Sequence, residues 1–246
     1  TPSIALDQCK KVVTSMFEKT QNGVNTACQM LTDFSDEKME SVLELEKKVD
    51  KYEDTLGTYL VQISKQNLSE QDSREVSEIL HIIGDVERIS DHSVSIAKSA
   101  KEINSKNLNF SSKAKDEIQI MIEATEEILK NAQTAFLDDD TEKAMDVEAM
   151  ERVIDKLKPQ LKKRHVDSLK NGECTIEHGF VMTDIITSLE RISDHCSNIA
   201  GCVEEIGHGS LEIHAYTRDV RKDQSNEFND LYEKYREKYR IETRVI

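Results

Sequence analysis

The sequence is short of residues that interrupt helices. It has two prolines and eight glycines among 246 residues, and no tryptophan. Glu, Lys, Leu, Ile and Ala are abundant instead, and these residues favour helices over strands. A chain of this length can form one large domain, or two domains of about 100–150 residues that each have a real core. The composition therefore predicts an all-α protein.

The sequence also lacks long apolar runs and a surplus of basic residues. No run approaches the roughly 18 apolar residues that a membrane span needs, and no signal peptide is visible. The net charge is −15, and the surplus of acids lies before residue 210, where 40 acids stand against 25 bases. This charge disfavours nucleic acid and anionic membrane surfaces as partners.

The five cysteines form no Cys-x-x-Cys pair, and their number is odd. Such cysteine usage fits a reduced, cytosolic environment. Gly-rich phosphate loops, nucleophile elbows and nucleotide-binding fingerprints do not occur in the sequence either. No motif of these enzyme classes therefore guides the functional interpretation.

Short polar breaks divide the chain into long segments that have apolar residues every three or four positions. The breaks supply N-cap candidates such as Ser35, and Ser69 with Asp72 resembles a capping box. Pro159 should kink the helix that contains it. Short links favour antiparallel neighbours. We predict six helices, at residues 3–32, 36–66, 70–105, 110–136, 142–171 and 175–207.

The hexapeptide Glu-Arg-Ile-Ser-Asp-His occurs twice, at residues 87–92 and 190–195. The same offset of 103 residues relates Ile96 to Ile199. A constant offset over a long span indicates internal duplication, so the helices should form two three-helix bundles that are related by a pseudo-twofold axis. The predicted division of the chain is 1–107 for the first repeat, 108–209 for the second repeat and 210–246 for a C-terminal tail.

The tail carries an aromatic stripe. Phe228, Tyr232, Tyr235 and Tyr239 recur at spacings of four, three and four residues, which is typical of an amphipathic helix. Such a helix either packs on its own bundle or contacts a partner chain or a further domain.

Each copy of the hexapeptide carries a carboxylate pair on a face that a bundle helix should bury. Glu87 and Asp91, for example, fall in line with Val76 and Ile83. Residues at i and i+4 lie about 5–6 Å apart at Cβ, and the preceding helix of each repeat carries a similar pair. Two facing pairs would place four carboxylates around one point. The four pairs are Glu46 and Asp50, Glu87 and Asp91, Glu151 and Asp155, and Glu190 and Asp194.

Buried carboxylates need compensation, because desolvation and like-charge repulsion both oppose their ionisation. Lys and Arg side chains, protonation, or a metal held by oxygen ligands could each supply it; a solvated groove without metal is a further alternative. Arg88 and Arg191 follow the glutamates but point about a quarter-turn away. We expect His92 and His195, which follow the aspartates, to pack or to lie at the surface.

A second arrangement of possible metal ligands is attributed to chance. Glu78 with His81, and Glu205 with His208, match the Glu-x-x-His pattern of di-iron bundles. Their separation of 127 residues is out of step with the repeat.

The repeated motifs "ERISDHSVSIAK" and "ERISDHCSNIA", together with "LEKKVDKYE" and "MERVIDKLK", resemble those of PhoU-like proteins over about residues 24–206. The resemblance implies two three-helix bundles and a non-enzymatic role in regulating phosphate uptake. It also implies that the eight carboxylates named above are metal ligands, for Fe, Zn, Mn or Mg. Lys158 stands where the first repeat has Glu53, so the second site departs from a fully acidic pattern.

The start "TPSIALDQCKK" and the Tyr-rich tail resemble the cytosolic PhoU-like part of bacterial sodium/phosphate cotransporters. The partner implied is a phosphate transporter membrane domain in the same polypeptide, at the inner face of the cell membrane, and a homodimer is a possible assembly. One alternative is a free-standing PhoU-like adaptor of a phosphate importer or histidine kinase. Another is a carboxylate-bridged metalloenzyme, for which the sequence shows no evident acid, base or nucleophile beyond the ligands.

Overall fold

The computed structural model describes residues 2–208 and 226–241, and all regular secondary structure in these ranges is helical. The six long predicted helices are confirmed, with ends that differ by at most two residues, and a shorter helix is present in the tail. The bounds are α1 (Pro2–Met30), α2 (Asp36–Ser64), α3 (Glu70–Ser105), α4 (Ser112–Leu137), α5 (Thr141–Lys170), α6 (Ile176–His208) and α7 (Asn226–Lys238). None of these helices is long and apolar enough to cross a membrane.

Local chemistry accounts for where the helices begin and end. The Ser35 side chain accepts a hydrogen bond from the backbone N–H of Lys38, at the start of α2. Ser69 accepts one from the N–H of Asp72 and donates one to its carboxylate, so Ser69 is the N-cap of α3 and the two side chains bind each other. Asn107 and Asp139, just after α3 and α4, have φ of +50°. This left-handed conformation, which Asn and Asp tolerate, stops the helices.

The long helices pack as two trios around one continuous core. The helices α1, α2 and α3 pack on one another, α6 packs on both α4 and α5, and α4 packs on α5. Contacts of α3 with α6, and of α1 with α4, join the trios. The core is dominated by aliphatic residues such as Ile82, Ile89 and Ile192, which are fully buried. The predicted division of the chain near residue 107 falls in the link between α3 and α4, and as a domain boundary it stays a prediction.

The contact between α3 and α6 has the geometry that a twofold axis requires. The rings of His92 and His195, which the duplication relates to each other, stack with their centroids 5.7 Å apart. A residue lies against its own counterpart only near such an axis. Asp85 on α3 binds His195 and Asn198 on α6, at 2.8 and 3.1 Å. The two histidines therefore pack at the junction between the repeats.

The tail helix docks on the second repeat. α7 packs against α5, with Phe228, Tyr235 and Tyr239 buried. The Tyr235 hydroxyl donates to Asp146 at 2.9 Å, so the aromatic stripe packs on its own bundle. The remainder of the predicted tail, 209–225 and 242–246, lies outside the described residues. α5 continues through Pro159, and the kink expected there stays a prediction.

Candidate functional site

The predicted carboxylates of the first repeat are brought together between α2 and α3. Because the two helices are antiparallel, Glu46 faces Asp91 and Asp50 faces Glu87 across the helix pair, and each of these pairs interacts electrostatically. Asp50 is exposed, whereas the other three are half-buried. Asp50 therefore lies outside the buried stripe, contrary to the expectation, whereas Glu46, Glu87 and Asp91 lie at its margin.

A fifth carboxylate, Glu53, belongs to this group. It lies one turn beyond Asp50 on α2, and it contributes to the electrostatic environment of Glu87. Its spacing from Glu46, seven residues, is the signal in the sequence, because residues at i, i+4 and i+7 share one helix face. We refer to Glu46, Asp50, Glu53, Glu87 and Asp91 as the first-repeat cluster.

Burial and mutual repulsion make ionisation of the first-repeat cluster unfavourable. Burial, followed by the charge of Asp91, raises the pKa of Glu87 to about 7, and Arg88 only partly opposes this. Burial, followed by Asp91 and Asp50, also raises the pKa of Glu46. The Arg88 guanidinium lies 3.9 Å from the Glu87 carboxylate, and its side chain is 68% exposed. A cation held at such a distance in water compensates little.

In the second repeat, a lysine compensates the charge of the buried glutamate. The Lys158 ammonium lies 2.7 Å from the carboxylate of Glu190, which is buried. Arg191 contacts Asp194 at 3.3 Å. Burial, and then the charge of Glu190, raises the pKa of Asp194, and Arg191 opposes this rise. Glu151, half-buried, and Asp155, exposed, complete this group on α5, which we call the second-repeat cluster.

The donor set of the first-repeat cluster fits a hard or borderline cation, because all its ligands are carboxylate oxygens. Among the described residues, however, no three His, Cys, Asp or Glu side chains converge closely enough to hold one ion. The eight predicted ligands are therefore placed as two facing groups, and ligation itself stays a prediction. In the second-repeat cluster, the Lys158 ammonium already occupies the position of a cation.

The other candidate ligands are not assembled into a site. Glu78 is buried, whereas His81 is exposed on the same helix. The side chain of His208 lies outside the described residues. His92 and His195 stack on each other, and His195 contacts Asp85, a carboxylate that belongs to neither cluster.

One protein-family model matches the chain twice, once in each repeat. The model of the PhoU domain matches residues 13–100 and again residues 118–203. The chain belongs to the PhoU family. It is 25% identical over 198 residues to the Thermotoga maritima "phosphate-specific transport system accessory protein PhoU homolog 1", covering 80% of this chain and 84% of that protein.

Two solved structures show the same fold. PhoU from Pseudomonas aeruginosa superposes with a TM-score of 0.79 at 21% identity, covering 85% of this chain and all of that one. The phosphate transport system regulatory protein PhoU from Streptococcus pneumoniae superposes with a TM-score of 0.77 at 19% identity, covering 86% of this chain and 99% of that one. None of these three proteins is named as part of a sodium/phosphate cotransporter.

Proposed function

We propose that this protein regulates phosphate transport as an accessory protein, without catalysing a reaction, and that its first-repeat cluster binds a divalent or trivalent metal ion. Family membership supports the regulatory role, since the relatives are named as accessory or regulatory proteins of phosphate transport systems. The observation that carries the metal proposal is that five carboxylates lie together while the ion pair among them is the 3.9 Å contact of exposed Arg88 with Glu87. Lys47 and Lys98 only partly offset the raised pKa of Glu46.

The same relatives favour one of the two forms expected from the sequence. They are accessory proteins of phosphate-specific transport systems, which supports an adaptor that acts on a phosphate importer or a histidine kinase at the cytoplasmic face. The cotransporter-linked form, with a membrane domain in the same polypeptide, has no counterpart among them. We therefore propose the adaptor, with a separate transporter subunit as its partner.

A bound metal would act as a structural or signalling ligand of the first-repeat cluster. Glu46 and Asp50 from α2 would hold it together with Glu87 and Asp91 from α3, and Glu53 is a further oxygen donor. A cation would supply the positive charge that offsets the repulsion among these groups. Since ligation requires ionised carboxylates, binding should release protons.

Purified protein tests the metal proposal directly. Elemental analysis should find a metal, and a chelator near pH 7 should lower the melting temperature, which Mn²⁺, Fe²⁺ or Zn²⁺ should restore. Glu87→Gln with Asp91→Asn should abolish this response and leave the metal-free protein no less stable, because the repulsion is gone. The matched change in the second repeat, Glu190→Gln with Asp194→Asn, should keep the metal response and lower stability, because it strands Lys158.

The regulatory role needs a test in cells. Removal of the protein should uncouple phosphate uptake from the external phosphate concentration, measured with radiolabelled phosphate. Wild-type protein should restore the coupling. If uptake responds normally without the protein, the regulatory role is contradicted. If wild-type protein restores the coupling and the Glu87→Gln/Asp91→Asn variant does not, the role depends on the first-repeat cluster.

A further inference from the structure

One end of the second repeat concentrates positive charge in a chain whose net charge is −15. The segment from Lys156 to Lys170, the last half of α5, has six Lys and Arg residues and one acid, Asp167. Two of the six are engaged within the bundle: Lys158 binds Glu190, and Arg164 binds Glu117. Lys156, Lys163 and Lys170 are exposed.

Apolar side chains are exposed beside these lysines. Phe180 is 68% exposed, Ile176 63% and Val166 45%. In a protein whose other phenylalanines are largely covered, a phenylalanine with two-thirds of its surface in water is unusual, and a group of such residues marks an interaction surface.

The fold places the lysines and the apolar residues on one side of the helix pair. Gly179 of α6 lies directly against His165 of α5, where a Cβ atom would come within 2.7 Å of the imidazole Nε2. Val166 and Phe180 each follow that contact by one residue, or about 100°. Because the two helices are antiparallel, the same rotation brings both side chains to the same side.

The remaining members follow from helix periodicity. Ile176 lies one turn before Phe180 on α6, and Lys162, Lys163 and Lys170 lie one turn from Val166 on α5. We call these six residues the turn-end face: Lys162, Lys163, Val166, Lys170, Ile176 and Phe180. Acids also lie at its edge: Asp167 is 3.9 Å from Lys170, Glu177 pairs with Lys106 at 3.7 Å, and Glu173 is exposed in the adjoining turn.

We propose that the turn-end face docks the protein on an anionic lipid bilayer. Lysines around exposed apolar side chains are the combination that anionic headgroups and the acyl boundary recognise. The face lies on the exposed side of two neighbouring helices, and its lysines complement the negative charge of anionic headgroups.

The net charge of the chain does not oppose this docking at short range. In physiological salt, exposed charges are screened beyond about 8 Å. The lipid therefore senses the lysines of the turn-end face rather than the distant acids. The expectation drawn from net charge, that an anionic membrane is disfavoured, holds for the chain average and not for this face.

The first repeat provides matched controls, because its corresponding face keeps an exposed valine, Val61, but has Ser73 and Ser77 in place of Ile176 and Phe180. Lys65 and Lys51 are the counterparts of Lys170 and Lys156 on α2, and both are exposed. Gly57 and Thr58 stand where the second repeat has Lys162 and Lys163. Tyr59, at 45% exposure, is an exposed aromatic residue on that helix.

The experiment is co-sedimentation of the whole chain with vesicles of phosphatidylglycerol and phosphatidylcholine in equal amounts, with chelator present to prevent metal bridging. Wild-type protein should sediment with these vesicles and not with vesicles of phosphatidylcholine alone. Lys163→Gln with Lys170→Gln should lower the partition coefficient on the order of 10-fold or more, given about fivefold per lysine. Phe180→Ser should lower it as well.

The controls Lys51→Gln with Lys65→Gln, and Tyr59→Ser, should leave partitioning unchanged. We expect every variant to fold, since all the changed side chains are exposed. Circular dichroism verifies this. The proposal is overturned if wild-type protein does not bind the vesicles, or if the control variants lose as much binding as the test variants. Absence of vesicle binding would instead favour an acidic protein as the partner of this face. Phosphate regulation does not depend on this result, because an adaptor can reach a transporter through protein contacts alone.

Discussion

At the scale of single residues, one substitution separates the two carboxylate clusters. Lys158 places an ammonium 2.7 Å from Glu190, whereas the first repeat has Glu53 at the corresponding position. The second cluster thus has a lysine in direct contact with a buried glutamate, whereas Arg88 in the first cluster is exposed and 3.9 Å from Glu87. This asymmetry is why we propose an external cation for the first repeat and not for the second.

Lys158→Glu should convert the second cluster to the acidic pattern of the first. In metal-free buffer it should lower the free energy of unfolding by about 3 kcal/mol or more, because the buried Glu190 loses its partner. Mn²⁺ should recover more of this loss in Lys158→Glu than in Lys158→Ala, because only the former adds a ligand. Urea unfolding with and without Mn²⁺ measures both effects.

Lys156→Glu is the control for this pair, since Lys156 is exposed two residues earlier on the same helix. It should change stability little. If Lys158→Ala is as stable as wild type, the ion pair contributes nothing and the lysine does not replace a metal.

A second prediction at this scale concerns Glu78, which is 4% exposed on α3. One of its carboxylate oxygens is buried without a hydrogen-bond partner among the described residues. Burial raises the pKa of Glu78 from 4.5 to about 7, although Lys10 opposes the shift. Because the folded state prefers the protonated acid, Glu78 favours folding most below pH 4.5, and this stabilisation is lost as the pH rises toward 7.

Glu78→Gln should therefore be more stable than wild type near neutral pH, by on the order of 2 kcal/mol, and the two should converge near pH 4.5. Urea unfolding followed across this pH range measures the difference. Glu44→Gln, an exposed change on α2, should show no such convergence. A Glu78→Gln protein that is less stable than wild type at pH 7 would show that the ionised carboxylate has a partner.

At the scale of elements, α7 is attached by side chains that are both apolar and hydrogen-bonded. The Arg152 guanidinium lies over the Phe228 ring, 4.7 Å from its centroid. Tyr239 and Lys238 both donate to Glu127 of α4. The Tyr235 hydroxyl and the Lys143 ammonium both bind Asp146, which is 9% exposed. The helix thus packs on α5, and the side chains at its C-terminal end reach α4.

Tyr235→Phe should destabilise the protein by about 1–2 kcal/mol, because it removes a donor from a buried carboxylate. Tyr232→Phe is the matched control on the same helix, since Tyr232 is only half-buried. Removal of residues 210–246 should have a larger effect, exposing an apolar surface and lowering solubility. Thermal unfolding and size-exclusion chromatography measure these outcomes; a truncated chain with unchanged melting would mean that α7 does not stabilise the bundle.

At the scale of the whole molecule, α3 and α6 join the two repeats through hydrogen bonds that are not repeated by the symmetry-related residues. Asp85 binds His195 and Asn198, while its counterpart in the second repeat is Ser188. The junction is therefore pseudo-symmetric in shape and asymmetric in charge. We expect the repeats to unfold together, since one core runs through both.

Asp85→Ala should cost about 2–3 kcal/mol, because it removes two hydrogen bonds from the junction and leaves two donors without their acceptor. Circular dichroism and hydrogen exchange should both show one cooperative transition in wild type, with weaker protection of α3 and α6 in the variant. Ser95→Ala, at the exposed counterpart of Asn198, should be neutral. Two separate transitions in wild type would contradict a shared core.

The helices, their ends and the duplication can all be predicted from the amino-acid sequence. Apolar periodicity and Ser or Asp caps act within a few residues of the chain, so the bounds of α3 follow from local chemistry, and the constant offset between the hexapeptides needs no coordinates. The same holds for the choice of candidate ligands, because the i, i+4 spacing already places Glu87 beside Asp91.

The ion pairs and hydrogen bonds between helices could not be predicted from the sequence. Asp50 and Asp155 are exposed. A helical wheel did not predict this, because it gives the direction of a side chain and not how far the neighbouring helix covers it. The contacts of Lys158 with Glu190 and of Asp85 with His195 join residues distant in the chain. The turn-end face, likewise, exists because α5 and α6 meet at Gly179 and His165. Such contacts depend on how neighbouring helices pack, which the periodicity of apolar residues within one helix does not specify.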